Sequence, residues 1–245
     1  VLLILGVLLL FSNLHFKESL SVDNRKRGNL KSLVSGFGIV LKNRRYVYYV
    51  LQMGFAMGVL FANISSSPFI VQQHYGFSAF EFSLFFGINA LAIGLAAGLS
   101  VKFKNPEHAM FLGSVGMTMM SAVEFVILSN EYHFAVYEAV LFVLLFSMGL
   151  TFTASTTLAM DCERANSGTA SALFGAAGFA FGGIVSPLVG LGDILSTTGL
   201  IFFVCSVCSL CFSVLAMNQT HTNLWGSFKC KMGPVTRFVF LRREK

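Results

Sequence analysis

The sequence predicts an all-α integral membrane protein, and three observations lead there. Hydrophobic residues make up 55% of its 245 positions and charged residues only 11%, against about 25% charged in a soluble domain. Mean hydropathy is +0.74. The apolar residues come in unbroken runs of about twenty, the length at which a helix crosses about 30 Å of hydrocarbon, and they lack the alternation of barrel strands. The cations, finally, gather in alternate links between those runs. A soluble fold of this size has no way to hide so much apolar surface from water.

In chain order, residues 1–12, "VLLILGVLLLFS", lack the basic start and small-residue cleavage site of a signal peptide. They read as the end of a transmembrane helix that begins outside this chain. Residues 13–45 are polar and form an expected cytoplasmic loop. Within it Leu30, Leu33, Val34, Phe37 and Leu41 share one helical face, flanked by Lys31, Lys42, Arg44 and Arg45. That pattern suits a helix lying on the inner leaflet with its cations near lipid phosphates. Gly36 and Gly38 weaken such a helix, which leaves a flexible linker as the alternative. Six full spans follow, at 46–66, 80–101, 109–129, 134–158, 169–191 and 197–217, and then a basic tail at 218–245 expected in the cytoplasm.

The link 67–79 is polar but uncharged. Pro68 is expected to end or kink the first span at Ser67, because proline cannot continue the interior hydrogen bonding of a helix. Gly76 permits a turn. Ser78 and Glu81 have the S-x-x-E spacing of a capping box, in which each side chain satisfies a free amide of the other. Glu81 is therefore read as a cap rather than a proton carrier.

The 17 Lys and Arg residues fix the expected orientation. Eight precede the first full span, Lys102 and Lys104 follow the second, Arg164 follows the fourth, and six follow the sixth. The links near 67–79, 130–133 and 192–196 have none. Basic loops are retained in the cytoplasm, so six spans place every cation on one side, with the C-terminus also inside. The multi-pass topology expected is that of a cell inner (plasma) membrane protein. The net charge of +6 thus reports topology and points to a lipid bilayer as partner, with no nucleic acid implied.

No cofactor, metal site or catalytic residue is expected. Cys205, Cys208 and Cys211 repeat every third residue, but in an uninterrupted apolar helix, where cysteine acts as a small hydrophobe. No nucleophile–base pair stands at helical spacing, which argues against an intramembrane enzyme. Glycine rows are the clearest structural motif. Gly54 with Gly58 and Gly94 with Gly98 are G-x-x-x-G pairs, and Gly175, Gly178 and Gly182 thin one face of the fifth span. Such rows let helices approach closely in lipid, either as static packing or as a contact that rocks during alternating access. Pro187 is a candidate kink in the same span.

Polar residues within the spans are few. Gln52, Asn89 and Thr151 read equally as ties between helices or as parts of a substrate path. Tyr48, Phe61 and Phe146 could stack on an aromatic or cationic solute. Glu124 and Glu138 are the intramembrane carboxylates, at expected similar depth across the 130–133 turn. Two readings stay open for them: snorkelling into water beyond the outer leaflet, or carrying protons.

Two stretches are specific. "LFANISSSPFIVQQHYGFSAFEFSLFFGINALAIGL" resembles the seventh-to-eighth helix region of the Bcr/CflA (bicyclomycin-resistance) drug:proton antiporters, within the major facilitator superfamily. "SGTASALFGAAGFAFGGIVSPLVGLG" resembles their eleventh helix, and "FKESL" the pattern that closes their sixth. The resemblance covers residues 1–217. It implies a six-helix C-terminal half of a twelve-helix fold, preceded by the end of a further helix, and a missing N-terminal half as partner. It also implies proton-coupled efflux of a small amphipathic substrate, with the proton gradient as energy source. Lys17 and Ser19 replace the family's Pro and Thr, "FTASTTLAM" lacks its proline–asparagine pair, and "KFKNPEH" matches its arginine-rich loop only loosely. These departures bear on substrate range. The alternatives are a facilitator for another solute (a sugar, siderophore or metabolite) and a truncated, non-transporting remnant.

Overall fold

The computed structural model describes residues 2–15 and 30–231, with side chains over 3–12, 14–15 and 35–219. "FKESL" and the cations at 17, 25–27 and beyond 231 lie outside them. Every described element is helical, and no strand occurs among the described residues. The chain divides into two compact units, 1–35 and 36–245. The first contains α1 (Leu2–His15), which is apolar on every side.

Helix α2 (Leu30–Leu41) straddles the division. Its buried residue in the second unit is Val40, at the edge of the expected stripe, while Leu41 stays exposed. The cause is the turn that follows. Asn43 caps the next helix by accepting from the Tyr46 amide at 3.3 Å, and this brings Val40 against Tyr46 and Tyr49.

Six helices long and apolar enough to cross a membrane follow. They are α3 (Arg44–Pro68), α4 (Ala79–Ser100), α5 (Pro106–Ser129), α6 (Phe134–Cys162), α7 (Ser167–Leu188) and α8 (Ile194–Lys231). Short 3₁₀ turns precede and follow α7, so Pro187 sits where α winding gives way to 3₁₀ winding. Helix α8 continues past 217 to Lys231, beyond the expected start of the tail.

The first link departs most from expectation. Helix α3 passes Ser67 and Pro68 and continues as a π-helical segment, Phe69–His74, so the connection shrinks to Tyr75–Ser78. Pro68 brings no N–H and crowds the carbonyl four residues back. Past it the bonding steps to wider intervals, with the Tyr75 amide donating to the Ile70 carbonyl at 3.1 Å and Phe77 to Val71 at 3.1 Å. The widened winding absorbs the missing donor without ending the helix. Gly76 then turns the chain at φ +75°. Ser78 accepts from the Glu81 amide at 3.3 Å, while Glu81 accepts from the Ser78 amide at 2.9 Å, so the box that starts α4 is closed in both directions.

Helices α3 and α6 are central. They pack on each other; α3 also meets α7 and α8, α6 also meets α4 and α5, and α5 closes on α8. Helices α4 and α7 are the flanks. Burial follows: 56% of the apolar window of α3 and 50% of that of α6 are buried, against 17% for α4 and 28% for α7. The glycines divide along the same line. A Cβ on Gly149 would stand 2.5 Å from the Ile93 carbonyl oxygen and 2.9 Å from the Ala96 Cβ, so α6 meets α4 backbone to backbone. Gly54 lies under the Phe181 ring, Gly182 under Phe61, Gly178 against Met53 and Gly58 against Val185 and Cys205. Gly94, Gly98 and Gly175 have nothing within 4 Å of such a Cβ. On α4 the inward residues are Asn89, Ala92, Ala96 and Ser100, and at 100° per residue Gly94 and Gly98 fall on the opposite face.

Candidate functional site

At one end of the bundle the first turns of α3 and α5 and the last turn of α6 are tied together by charge. Arg45 pairs with Glu107 at 2.9 Å and donates to the Tyr49 hydroxyl at 3.1 Å. Asn43 donates to Glu163 at 2.7 Å, and the buried Tyr46 hydroxyl donates to the Ala170 carbonyl on α7 at 2.6 Å. These are the helix ends that carry the cations in sequence. At the opposite end, the Tyr75 hydroxyl donates to the Tyr132 carbonyl at 2.9 Å, which joins two of the three cation-free links. Burial, with the Glu124 and Glu131 carboxylates nearby, pushes the Tyr75 phenol above its usual value, so it remains a donor.

Between the ends runs a polar seam. Gln52 on α3 is fully buried; its amide donates to Ser209 on α8 at 3.1 Å, its side-chain oxygen accepts from Ser155 on α6, and Ser209 donates back to the Gln52 carbonyl at 3.0 Å. One residue thus joins three helices. Between α5 and α8, Ser121 pairs with Ser206, and Thr118 donates to the Ser206 carbonyl at 3.1 Å. Thr151, fully buried, reaches the Met110 carbonyl at 3.4 Å beside Gly113. Gln52 and Thr151 are therefore engaged in helix–helix contacts. Tyr48 lies 6.3 Å from Phe212 between ring centroids, Phe61 meets Phe179 edge-on at 5.9 Å, and Phe146 is half-buried on α6. The structure does not bring these three rings together.

The α8 serines had a signal in sequence that the cysteine repeat masked. In "CSVCSLCFS", Ser206, Ser209 and Ser213 recur at steps of three and four, and all three are fully buried. Cys205 is buried with them, Cys208 half-buried and Cys211 exposed. Sulfur grades outward while the hydroxyls face in.

The carboxylates gather in the cation-free half. Glu124 on α5 is fully buried, and neither of its side-chain oxygens has a hydrogen-bond partner. Glu138 on α6 accepts from the Asn89 amide on α4 at 2.9 Å, and its second oxygen is buried and unpartnered. Glu124 and Glu138 lie within electrostatic reach of each other and of the fully buried Tyr137. Snorkelling to the outer surface does not describe Glu124: its carboxyl is turned into the bundle, because α5 is held between α6 and α8. Asn89, one of the residues considered for a substrate path, is drawn into this cluster. Between their terminal turns the six helices hold no other charged residue.

The model of the major facilitator superfamily matches residues 1–187, which extend from α1 to the end of α7. The chain belongs to the major facilitator superfamily. A curated relative, an uncharacterized MFS-type transporter named YdgK from Bacillus subtilis (strain 168), is 34% identical over 229 residues; these make up 91% of this chain and 57% of the relative. The chain thus spans about half the length of the curated relative it matches. Six membrane-length helices without a strand among the described residues fit one half of a major facilitator fold. Six helices of membrane length together with this membership indicate a multi-pass membrane protein.

Proposed function

We propose that this chain supplies the second six-helix half of a proton-driven efflux antiporter of Bcr/CflA type, with a missing N-terminal six-helix half as its partner. The single observation that carries the proton is Glu124, a carboxyl with no hydrogen-bond partner on either oxygen, buried beside Glu138 at the only charged positions within the spans. An ionised carboxylate without partners in such a place is costly, and a bound proton removes the cost. A group of this kind exchanges a proton only when a conformational step opens it to water. That is the requirement for coupling proton entry to alternating access.

In this reading the cation-bearing links and the C-terminus face the cytoplasm of the inner (plasma) membrane. Protons reach Glu124 and Glu138 from the opposite side. The substrate is a small amphipathic drug or metabolite, taken up between the two halves, with Tyr48, Phe61 and Phe146 as candidate aromatic contacts. Substrate-dependent proton release from the full-length protein in detergent tests the reading. Release that disappears in Glu124→Gln supports it. No release with any of a panel of amphipathic cations and neutral drugs overturns it in favour of a facilitator for another solute.

A further inference from the structure

Asn89 and Glu138 share one hydrogen bond, Nδ2–H to Oε1 at 2.9 Å, and each keeps one buried oxygen with no partner, Oδ1 of the amide and Oε2 of the acid. A planar amide and a planar carboxyl joined in this way have complementary edges. One side already carries N–H···O. The remaining two oxygens, Asn89 Oδ1 and Glu138 Oε2, are both acceptors and hold no hydrogen while the acid is ionised. With an ionised carboxylate that arrangement leaves two buried lone-pair oxygens unsatisfied, which is expensive away from water. A proton on Oε2 turns the acid into a donor toward Asn89 Oδ1, and an eight-membered acid–amide ring closes with one bond in each direction.

We propose that Asn89 and Glu138 form a proton-operated clasp between α4 and α6: a proton bound at Glu138 Oε2 adds the second bond, and its release removes it. The inference deepens the proton-coupled reading and rests on its carboxylates. Asn89 is the positioning residue, and Glu138 is the group that gains and loses the proton. The step balances simply, since one proton enters from water, forms the O–H bond and returns to water.

Placement gives the clasp its effect. Helix α4 meets the rest of its unit chiefly through α6 and the π segment. The polar ties between α4 and α6 are the Asn89–Glu138 bond and a long contact of 3.4 Å from Ser100 to the Leu150 carbonyl. Adding or removing one bond at Asn89 therefore changes the seating of a flanking helix whose other face is exposed. The titratable groups around Glu138 are few. Helix α5 contributes Glu124 and α6 itself Tyr137, and Tyr75 of the first link and Glu131 of the second lie beyond them, Tyr75 interacting with Glu124 and Glu131. Helix α4 contributes Glu81 only at its exposed start, engaged with Ser78, and α3 has no charged residue beyond Arg44 and Arg45 in its first turn.

Infrared difference spectroscopy of the full-length protein in liposomes, titrated from alkaline to acid pH, tests the clasp through the carbonyl stretch of a protonated carboxyl. The expected result is a band that vanishes in Glu138→Gln, survives in Glu124→Gln, and moves to higher frequency in Asn89→Leu as the ring bonds are lost. If Asn89→Leu fails to assemble, Glu138→Asp gives the same readout, since its shorter arm withdraws the acid from Asn89. No band assignable to Glu138 at any pH overturns the proposal, as does a band indifferent to both substitutions. If the band behaves as expected while substrate releases no proton, the clasp stands and antiport falls. If proton release depends on Glu138 but its band ignores Asn89, antiport stands and the clasp falls.

Discussion

Gln52 shows how much a single amide does in this bundle. It touches Ser155, Ser209 and, through its backbone carbonyl, Ser209 again, so α3, α6 and α8 meet at one residue. Interhelical bonds in lipid average about 0.6 kcal/mol and reach about 1.7 kcal/mol each. Gln52→Leu breaks two bonds and strands the buried Ser155 hydroxyl, while Ser209 keeps its bond to the backbone carbonyl, so a loss of about 1–3 kcal/mol is expected in SDS-driven unfolding from mixed micelles. A shift below about 0.3 kcal/mol would contradict the node. Glu124→Gln should behave differently. No bond is broken, because the carboxyl makes none, so the fold should hold while proton release is lost. Asp193 gives a pH test outside the spans. It accepts from the Ser196 amide at 2.9 Å at the start of α8, and that bond holds its carboxyl below the usual range. A depressed carboxyl contributes stability that is present above its unfolded value and is lost as pH falls through the folded one. Asp193→Ala should therefore flatten the acid limb of the unfolding curve, and an unchanged limb would remove the cap from the account.

Among the elements, the glycine rows separate into two kinds. A methyl on Gly149 would press on the Ile93 backbone and the Ala96 side chain, neither of which is a flexible tip. Gly149→Ala is expected to cost about 1–3 kcal/mol through separation of α4 and α6. Gly94→Ala meets open space within this chain. Its effect there should lie between none and a gain of about 0.5–1 kcal/mol from the better helix former. Equal effects in the same unfolding assay would contradict the packing described. The first link is the other lesson at this scale. Ser78, Glu81 and Gly76 were legible because a cap and a turn are made by neighbours in sequence. The π segment was not, because Pro68 alone permits an end, a kink or wider winding. The buried Ile70 and Val71 keep the segment against the bundle, and that contact is tertiary.

For the whole molecule, the charge pattern predicts that the Tyr75–Ser78 link and the Lys102–Asn105 link lie on opposite sides of the membrane. Cysteines placed singly at Ser78 and Lys104 should react with an impermeant reagent from opposite faces of sealed vesicles, and labelling from one face would overturn the topology. Helix number, helical fold class and the division into basic and cation-free links followed from the sequence, because each depends on local hydropathy and on the cost of moving a cation across lipid. The amide of Asn89 and the acid of Glu138 stand 49 residues apart, and nothing in either neighbourhood names the other. Periodicity identified Gly54, Gly58, Gly94 and Gly98 as alike; the fold closed the first two against α7 and α8 and left the latter two open. What the sequence determined by itself is which segments form helices long and apolar enough to cross a bilayer and which links carry charge, since a helix in lipid satisfies its own backbone. Which polar side chains face one another was decided only in the tertiary structure, because that depends on how each helix is rotated against its neighbours.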